Sequence, residues 1–128
     1  MMTKLQLAKL RQRVRFAKAH RNALEHIAMG HRSMVQASLV ERQFHPGHAP
    51  RYYLSIPAIP YSWHMYVRKD RLEYYRPRAQ AWREFTNALA DWVKTNKEIE
   101  RLLRQLGKGR CETLEIRRGS KGRRPLSR

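Results

Sequence analysis

The sequence predicts an α+β fold dominated by two long helices, which form a hairpin around a small antiparallel β-meander. Three observations lead to this prediction. Apolar residues recur at alternating steps of three and four in residues 7–28 and again in residues 82–106, as on a helix with one heptad-patterned edge. Between these segments, residues 38–68 hold short alternating runs separated by Pro and Gly, which is typical of strands and turns. We expect one compact domain over residues 1–106.

The first helix is predicted over residues 3–29, with Thr3 as its N-cap and Gly30 closing the run. Its apolar edge is Leu7, Leu10, Val14, Ala17, Arg21, Leu24 and Ala28. Beside this edge lies a basic stripe, whose members recur three, four or seven residues apart: Lys4, Arg11, Arg15 and Lys18. Glu25 is the single acid of the segment, so the stripe is predicted to contact nucleic acid rather than to serve solubility alone.

The meander is predicted over residues 38–68, with strands at 38–44, 51–56 and 63–68. Its aromatic residues are interleaved with basic ones, a combination that stacks bases and holds phosphates. The alternative is that half of these aromatic residues pack in the core, because aromatic side chains supply the largest buried areas. Strand alternation places one set away from the helices, and our candidates for it are Tyr53, His64, Tyr66 and Arg68. Further predicted phosphate contacts in this region are Arg51, Lys69 and Arg71.

The second helix is predicted over residues 77–106, with Pro77 in its first turn and Gly107 after its end. Its predicted buried edge is Trp82, Phe85, Leu89, Trp92, Asn96, Ile99, Leu103 and Leu106. Arg21 and Asn96 are the polar members of the two edges. They are either tolerated near solvent, or they fix helix register and number, as a buried Asn does in coiled coils. The edges can pair within one chain or between copies, so an oligomer is a second expectation.

Charge is the strongest compositional signal. The chain has 28 Lys and Arg against 10 Asp and Glu, a formal net charge of +18 in 128 residues. Such an excess opposes folding by self-repulsion and therefore indicates a polyanionic partner, with RNA or DNA first and an anionic membrane surface second. No apolar run reaches membrane-spanning length, and the apolar edge is too narrow for a lipid-facing helix, so we expect no membrane contact. The single Cys111 forms no internal disulfide and agrees with a cytoplasmic location.

Residues 107–128 are predicted to form a flexible basic arm, with an edge strand at 113–117 as an alternative for part of it. The arm has eight basic residues against Glu112 and Glu115. Its predicted phosphate contacts are Arg110, Arg117, Arg118, Lys121, Arg123 and Arg124.

Residues for catalysis or metal binding are sparse. Glu84, Asp91 and Glu98 recur at seven-residue spacing, which keeps a metal-dependent nuclease open as an alternative, although they are explained more simply as a solvated helix flank. His45 and His48 supply two ligands where zinc requires three or four. We therefore expect neither an enzyme nor a bound metal or cofactor.

Several short segments together resemble a known family. They are ASLVE at 37–41, HAP at 48–50, YYLS at 52–55, YV at 66–67 and the patterned helix at 82–106. This pattern is similar to that of small bacterial proteins often encoded beside insertion-sequence transposases, and the likeness covers residues 34–106. The family's turn is cysteine-rich, whereas the turn at 45–48 has no cysteine, so a metal held by relatives is not implied here. The resemblance implies a mobile-element setting with nucleic acid nearby.

Together these observations favour a non-enzymatic, nucleic-acid-binding protein of the bacterial cytoplasm, accessory to a mobile element or a ribonucleoprotein. The first alternative is a protein-interaction module that docks by its heptad edge on a transposase or a ribonucleoprotein subunit.

Overall fold

The computed structural model describes residues 2–112 and 114. The chain forms a helix-dominated α+β fold with a three-stranded antiparallel sheet, which confirms the predicted fold class. Its elements in order are α1 (Lys4–Ala28), β1 (Ser38–Arg42), β2 (Arg51–Ile56), β3 (Trp63–Val67), a 3-10 turn (Lys69–Arg71) and α2 (Leu72–Gly109).

α1 begins with a reciprocal cap at the predicted residue. The Thr3 hydroxyl accepts a hydrogen bond from the Gln6 backbone N–H at 3.2 Å, and the Gln6 side-chain oxygen accepts one from the Thr3 backbone N–H at 2.9 Å. This capping box satisfies two donors that the first helical turn leaves without partners. Thr3 and Gln6 therefore fix the start of α1.

The sheet packs against the beginning of α2. Its strand order is β1-β2-β3, with Leu39 opposite Leu54 and Leu54 opposite Met65. Leu54 and Val67 are buried together with Ala79 of α2, so one face of the sheet forms a core with the helix. Because side chains alternate along a strand, the residues between them lie on the opposite face.

α1 lies along the second half of α2. Leu10 and Val14 are buried against Leu102. The Met2 backbone N–H donates to the Gly109 carbonyl at 3.1 Å, so the start of α1 lies beside the end of α2.

α2 is longer than predicted at both ends. It begins at Leu72, so Pro77 lies inside the helix rather than in its first turn, where its missing N–H removes one hydrogen bond. It ends at Gly109 rather than before Gly107. Gly109 is buried, and a Cβ at this position would lie 2.5 Å from Met2 Sδ. Gly109 therefore lies where the side chains of Met2 and Leu7 pack against the end of α2.

The predicted buried edge of α2 is wrong at Leu89 and Leu103, which are 43% and 45% exposed. The preceding residues, Ala88 and Leu102, are buried instead, at 5% and 1%. Leu102 packs against Leu10 and Val14 of α1, so α1 covers the side of α2 that carries Leu102 and leaves Leu103 partly exposed. Ile99 is buried at 5% and remains part of the edge.

Among the described residues, neither helix combines the length and the apolarity that crossing a bilayer requires.

Candidate nucleic-acid interface

The sheet face turned away from α2 is called here the open face. Its residues alternate along the strands with Leu39, Leu54 and Met65, which lie on the face towards α2. The register arranges the residues of the open face in three rows. The rows are Ser38–Ser55–His64, then Val40–Tyr53–Tyr66, then Arg42–Arg51, which Arg68 continues directly after β3. Arg68 keeps an extended backbone, with φ −69° and ψ 151°, so the third row, called the arginine row, crosses the whole sheet. The structure therefore places Tyr53, His64, Tyr66 and Arg68 on one surface, as the strand alternation predicted, and Arg51 lies on the same surface.

Aromatic rings occupy the middle of the open face. The Tyr53 and Tyr66 ring centroids are 5.6 Å apart with the planes at 65°, and Phe44 lies 6.3 Å from Tyr53 at 77°. These edge-to-face arrangements are favourable for aromatic pairs and hold the rings in place. Tyr66 is 55% exposed and Phe44 is 53% exposed. Two aromatic side chains are thus accessible on either side of the half-buried Tyr53.

Arginines flank these rings. The Arg42 guanidinium carbon is 5.8 Å from the Tyr53 ring centroid, and that of Arg51 is 5.7 Å from the Phe44 centroid. Both distances are within the range of a cation–π contact. Among the described ion pairs, a single one involves the arginine row, in which Asp70 Oδ1 lies 3.6 Å from Arg68 Nε. None of the nine positions of the three rows is acidic.

A cleft of about 440 Å³ adjoins the arginine row, lined by Phe44, His45, His48, Ala49 and Arg51. It is shaped by the turn between β1 and β2. Gln43 Nε2 donates to the His48 carbonyl at 2.9 Å, and Gly47 adopts a positive φ of 83° that favours glycine. The His45 and His48 ring centroids are 5.4 Å apart. No group of three or more His, Cys, Asp or Glu able to hold a metal ion occurs in the described part of the chain.

The basic stripe of α1 forms a second surface. Lys4, Arg11, Arg15 and Lys18 are all exposed, and none of them takes part in an ion pair within residues 2–112. Their neighbour Arg13 differs, since its Nη2 lies 3.6 Å from Glu98 Oε1.

The stripe and the open face are far apart along α2. Arg21 follows the stripe along α1, and its Nη1 donates to Asn96 Oδ1 at 3.5 Å, which places this part of α1 beside Asn96. The sheet contacts α2 at Ala79. At 1.5 Å of rise per residue the two contacts are about 25 Å apart along the helix axis. The structure therefore does not bring the predicted basic residues into a single patch.

The segment after β3 only partly presents its predicted residues. Lys69 is exposed. The guanidinium carbon of Arg71 lies 4.3 Å from the Tyr74 ring centroid, and that of Arg78 lies 3.8 Å from the same centroid. Arg71 is therefore already engaged with the start of α2. Tyr52 and Tyr75 pack against the core cluster and are two of the seven aromatic residues between positions 52 and 75, fewer than the half of the alternative expectation.

Of the predicted arm, the structure describes little. Gly107 and Gly109 belong to α2, and Arg110 follows it as an exposed residue. Arg117, Arg118, Lys121, Arg123 and Arg124 lie outside the described residues, as does most of the alternative edge strand at 113–117.

Arg42 and Phe44 were not among the predicted site residues. The signal was present, because positions 38, 40, 42 and 44 of the first predicted strand share a face. Which face remained open depended on the pairing with β2, which the first strand alone does not reveal.

The acidic residues considered for a nuclease do not converge. Glu84 is paired with Arg32, and Glu98 accepts from Arg101 Nη2 at 2.6 Å. Hydrogen bonds from these arginines lower the pKa of both carboxyls. Glu84, Asp91 and Glu98 follow one another at about 10 Å along the helix axis, whereas the two metal ions of such sites lie about 4 Å apart.

No known family model matches the chain, and neither a curated protein nor a solved structure is detectably similar to it. The family resemblance of residues 34–106 therefore stays a prediction.

Proposed function

We propose that this chain is a non-enzymatic nucleic-acid-binding protein that uses the open face of its sheet. The observation that carries the proposal is the arginine row beside the Tyr53–Tyr66 pair, on a face whose rows contain no acid. Guanidinium groups hold phosphate oxygens in bidentate hydrogen bonds, and aromatic rings accept bases by stacking. Both halves of a nucleotide thus find a partner on one surface.

The basic stripe of α1 and the residues of the predicted arm add phosphate contacts at a distance from the sheet. The stripe suits this role because its four side chains are exposed and lack acidic partners among the described residues. Phosphate contacts of this kind contribute affinity without reading sequence. We infer that α1 and α2 form a heptad hairpin that supports the sheet and presents the stripe.

The proposed setting is a bacterial cytoplasm, where the protein assists a mobile element or a ribonucleoprotein. The support is the resemblance of residues 34–106 and the net charge of +18.

The experiment is the salt dependence of binding to a fluorescent oligonucleotide. We expect Arg42→Gln/Arg51→Gln/Arg68→Gln to lower affinity and to flatten the slope of log affinity against log salt by roughly 2 to 3, because each phosphate contact contributes about 0.7–0.9. The matched control is Lys94→Gln/Lys97→Gln/Lys108→Gln, which removes the same charge from exposed positions of α2. Equal effects of the two triple variants would show that only overall charge matters and would contradict the assignment of the open face.

A second candidate function is docking onto a larger protein partner through the exposed edge of α2, defined by Leu89, Val93 and Leu103. These residues are 43%, 40% and 45% exposed, and they recur on one side of the helix. Under this function Leu103→Lys would abolish partner capture in a native complex and leave nucleic-acid affinity unchanged. If the protein instead binds nucleic acid through the open face, Leu103→Lys leaves the native complex intact.

A further inference from the structure

We infer that the ligand of the open face is a single-stranded segment, whose unpaired bases stack on Tyr66 and Phe44 while its phosphates lie along the arginine row. This inference rests on the proposed function and names the form of nucleic acid that the same surface takes.

The shape of the open face disfavours a duplex. Three paired strands place the outer two about 10 Å apart, and a sheet of this width does not enter the major groove as a two-stranded ribbon does. Reading base edges in a groove also requires long hydrogen-bonding side chains such as Asn, Gln, Lys or Arg. In the rows of the open face such side chains are confined to the arginine row at one edge, whereas the middle row holds Val40, Tyr53 and Tyr66. In a duplex the bases stack on one another and leave no base face for these rings.

The accessible rings suit unpaired bases. Tyr66 and Phe44 are more than half exposed, and each is held edge-to-face against Tyr53. A ring that is fixed on one side and open on the other loses little freedom when a base stacks on it. Tyr53 is half-buried between them and acts as a positioning residue.

The charges lie where the backbone of such a strand would run. Residues on the same face of a strand are about 6.6 Å apart, so the arginine row is one step from the Tyr53–Tyr66 row. A strand that crosses the sheet along the arginines therefore has its bases over the aromatic rings. The opposite row, Ser38–Ser55–His64, supplies hydroxyl groups and an imidazole for base edges. The cleft between Phe44 and His48 extends the surface beyond the sheet.

The test compares three fluorescent oligonucleotides of equal phosphate number: a mixed-sequence single strand, an abasic single strand and a blunt duplex. The single strand is used in ribose and deoxyribose forms, and binding of either form with the base dependence below supports the inference. We expect the full chain to bind the base-bearing single strand most tightly. Because stacking of one base contributes the equivalent of about 5- to 150-fold in affinity, Tyr66→Leu should weaken this complex by a factor in that range. Its affinity for the abasic strand should not change.

Two variants complete the design. Tyr66→Phe keeps the ring and should retain binding, which separates stacking from a hydrogen bond of the hydroxyl. Tyr61→Leu changes a tyrosine that is 81% exposed and lies between β2 and β3, outside the open face, and it should have no effect. Circular dichroism verifies that all three variants are folded.

Equal affinity for base-bearing and abasic strands, tighter binding of the duplex, or an unchanged affinity of Tyr66→Leu would each overturn the inference and leave the proposed function standing. Failure to bind any of the three oligonucleotides would overturn both.

Discussion

At the scale of single residues, charge pairing is unevenly distributed over this protein. Four of the five acids of α2 pair with arginines, among them Glu84 with Arg32 and Glu98 with Arg101. The basic stripe of α1 is left without acids in the described part of the chain, and the arginine row meets only Asp70. Other exposed cations, such as Lys94 and Lys97 of α2, are likewise without an ion pair among the described residues, so it is their position, and not the lack of a partner alone, that distinguishes the cations assigned to phosphate.

The first prediction concerns Glu84. Hydrogen bonds from Arg32, and then from Gln80, hold the pKa of Glu84 below its ordinary value of 4.5. A lowered pKa stabilises the fold above the unfolded-state value, and this contribution disappears as the pH falls through the folded-state pKa. NMR titration should give a Glu84 midpoint below 4.5, and Arg32→Gln should raise it towards that value. Arg101→Gln is the control and should move the midpoint of Glu98 alone. A Glu84 midpoint insensitive to Arg32→Gln would contradict the pairing.

Strand alternation predicted which residues of β2 and β3 lie on the open face. Tyr53, His64 and Tyr66 lie where the period of two placed them. Arg42 was missed because its face is defined only once β1 is paired with β2. Arg71 was predicted as a phosphate contact, but its guanidinium lies over Tyr74, a contact that depends on where α2 begins.

At the scale of elements, the sheet was easier to predict than the helix phase. Pro and Gly interrupt the chain between the strands, and these breakers locate all three strands, although β1 ends at Arg42 and β3 at Val67 rather than at the predicted residues 44 and 68. In α2 the pattern of large apolar residues favoured Leu89 and Leu103, whereas burial goes to Ala88 and Leu102. A helix with apolar residues on two adjacent edges does not reveal which edge its partner covers. That choice depends on the tertiary contacts with α1, such as the packing of Leu102 against Leu10 and Val14.

The neighbouring leucines Leu102 and Leu103 test this phase directly. Leu102 is 1% exposed, so Leu102→Ala should lower the free energy of unfolding by about 2–5 kcal/mol through lost burial and a residual cavity. Leu103 is 45% exposed, and Leu103→Ala should cost less than about 1 kcal/mol. Urea unfolding of both variants measures the difference. A larger loss of stability for Leu103→Ala than for Leu102→Ala would show that Leu103 belongs to the buried edge, as the sequence pattern indicated.

At the scale of the whole molecule, two basic surfaces lie near opposite ends of α2, and the residues after 114 add a third source of positive charge. We propose that the open face takes bases and phosphates, whereas the stripe and the terminal residues take phosphates alone. We then expect the affinity for nucleic acid to depend on all three sources of charge. The preference for base-bearing over abasic strands should depend on the open face only.

Removal of residues 115–128 tests this division. The segment holds six basic residues and one acid, and a cut here leaves Gly109 in place, whose carbonyl accepts from Met2 N–H. A cut at residue 107 would remove that contact, so it would not separate charge from folding. If about half of the six basic residues touch phosphate, the salt slope should flatten by roughly 2 to 3. The preference for base-bearing over abasic strands should survive. An unchanged slope would exclude these residues from the interface.

The central claim is that nucleic acid lies on the open face, and ultraviolet crosslinking tests it most directly. A single-stranded oligonucleotide is irradiated with the full chain, and mass spectrometry locates the crosslinked residues. The account predicts adducts at Tyr66 and Phe44, which are lost when excess unlabelled single strand is present and persist in excess duplex. Specific adducts confined to the exposed edge of α2, at Leu89, Val93 or Leu103, would contradict it.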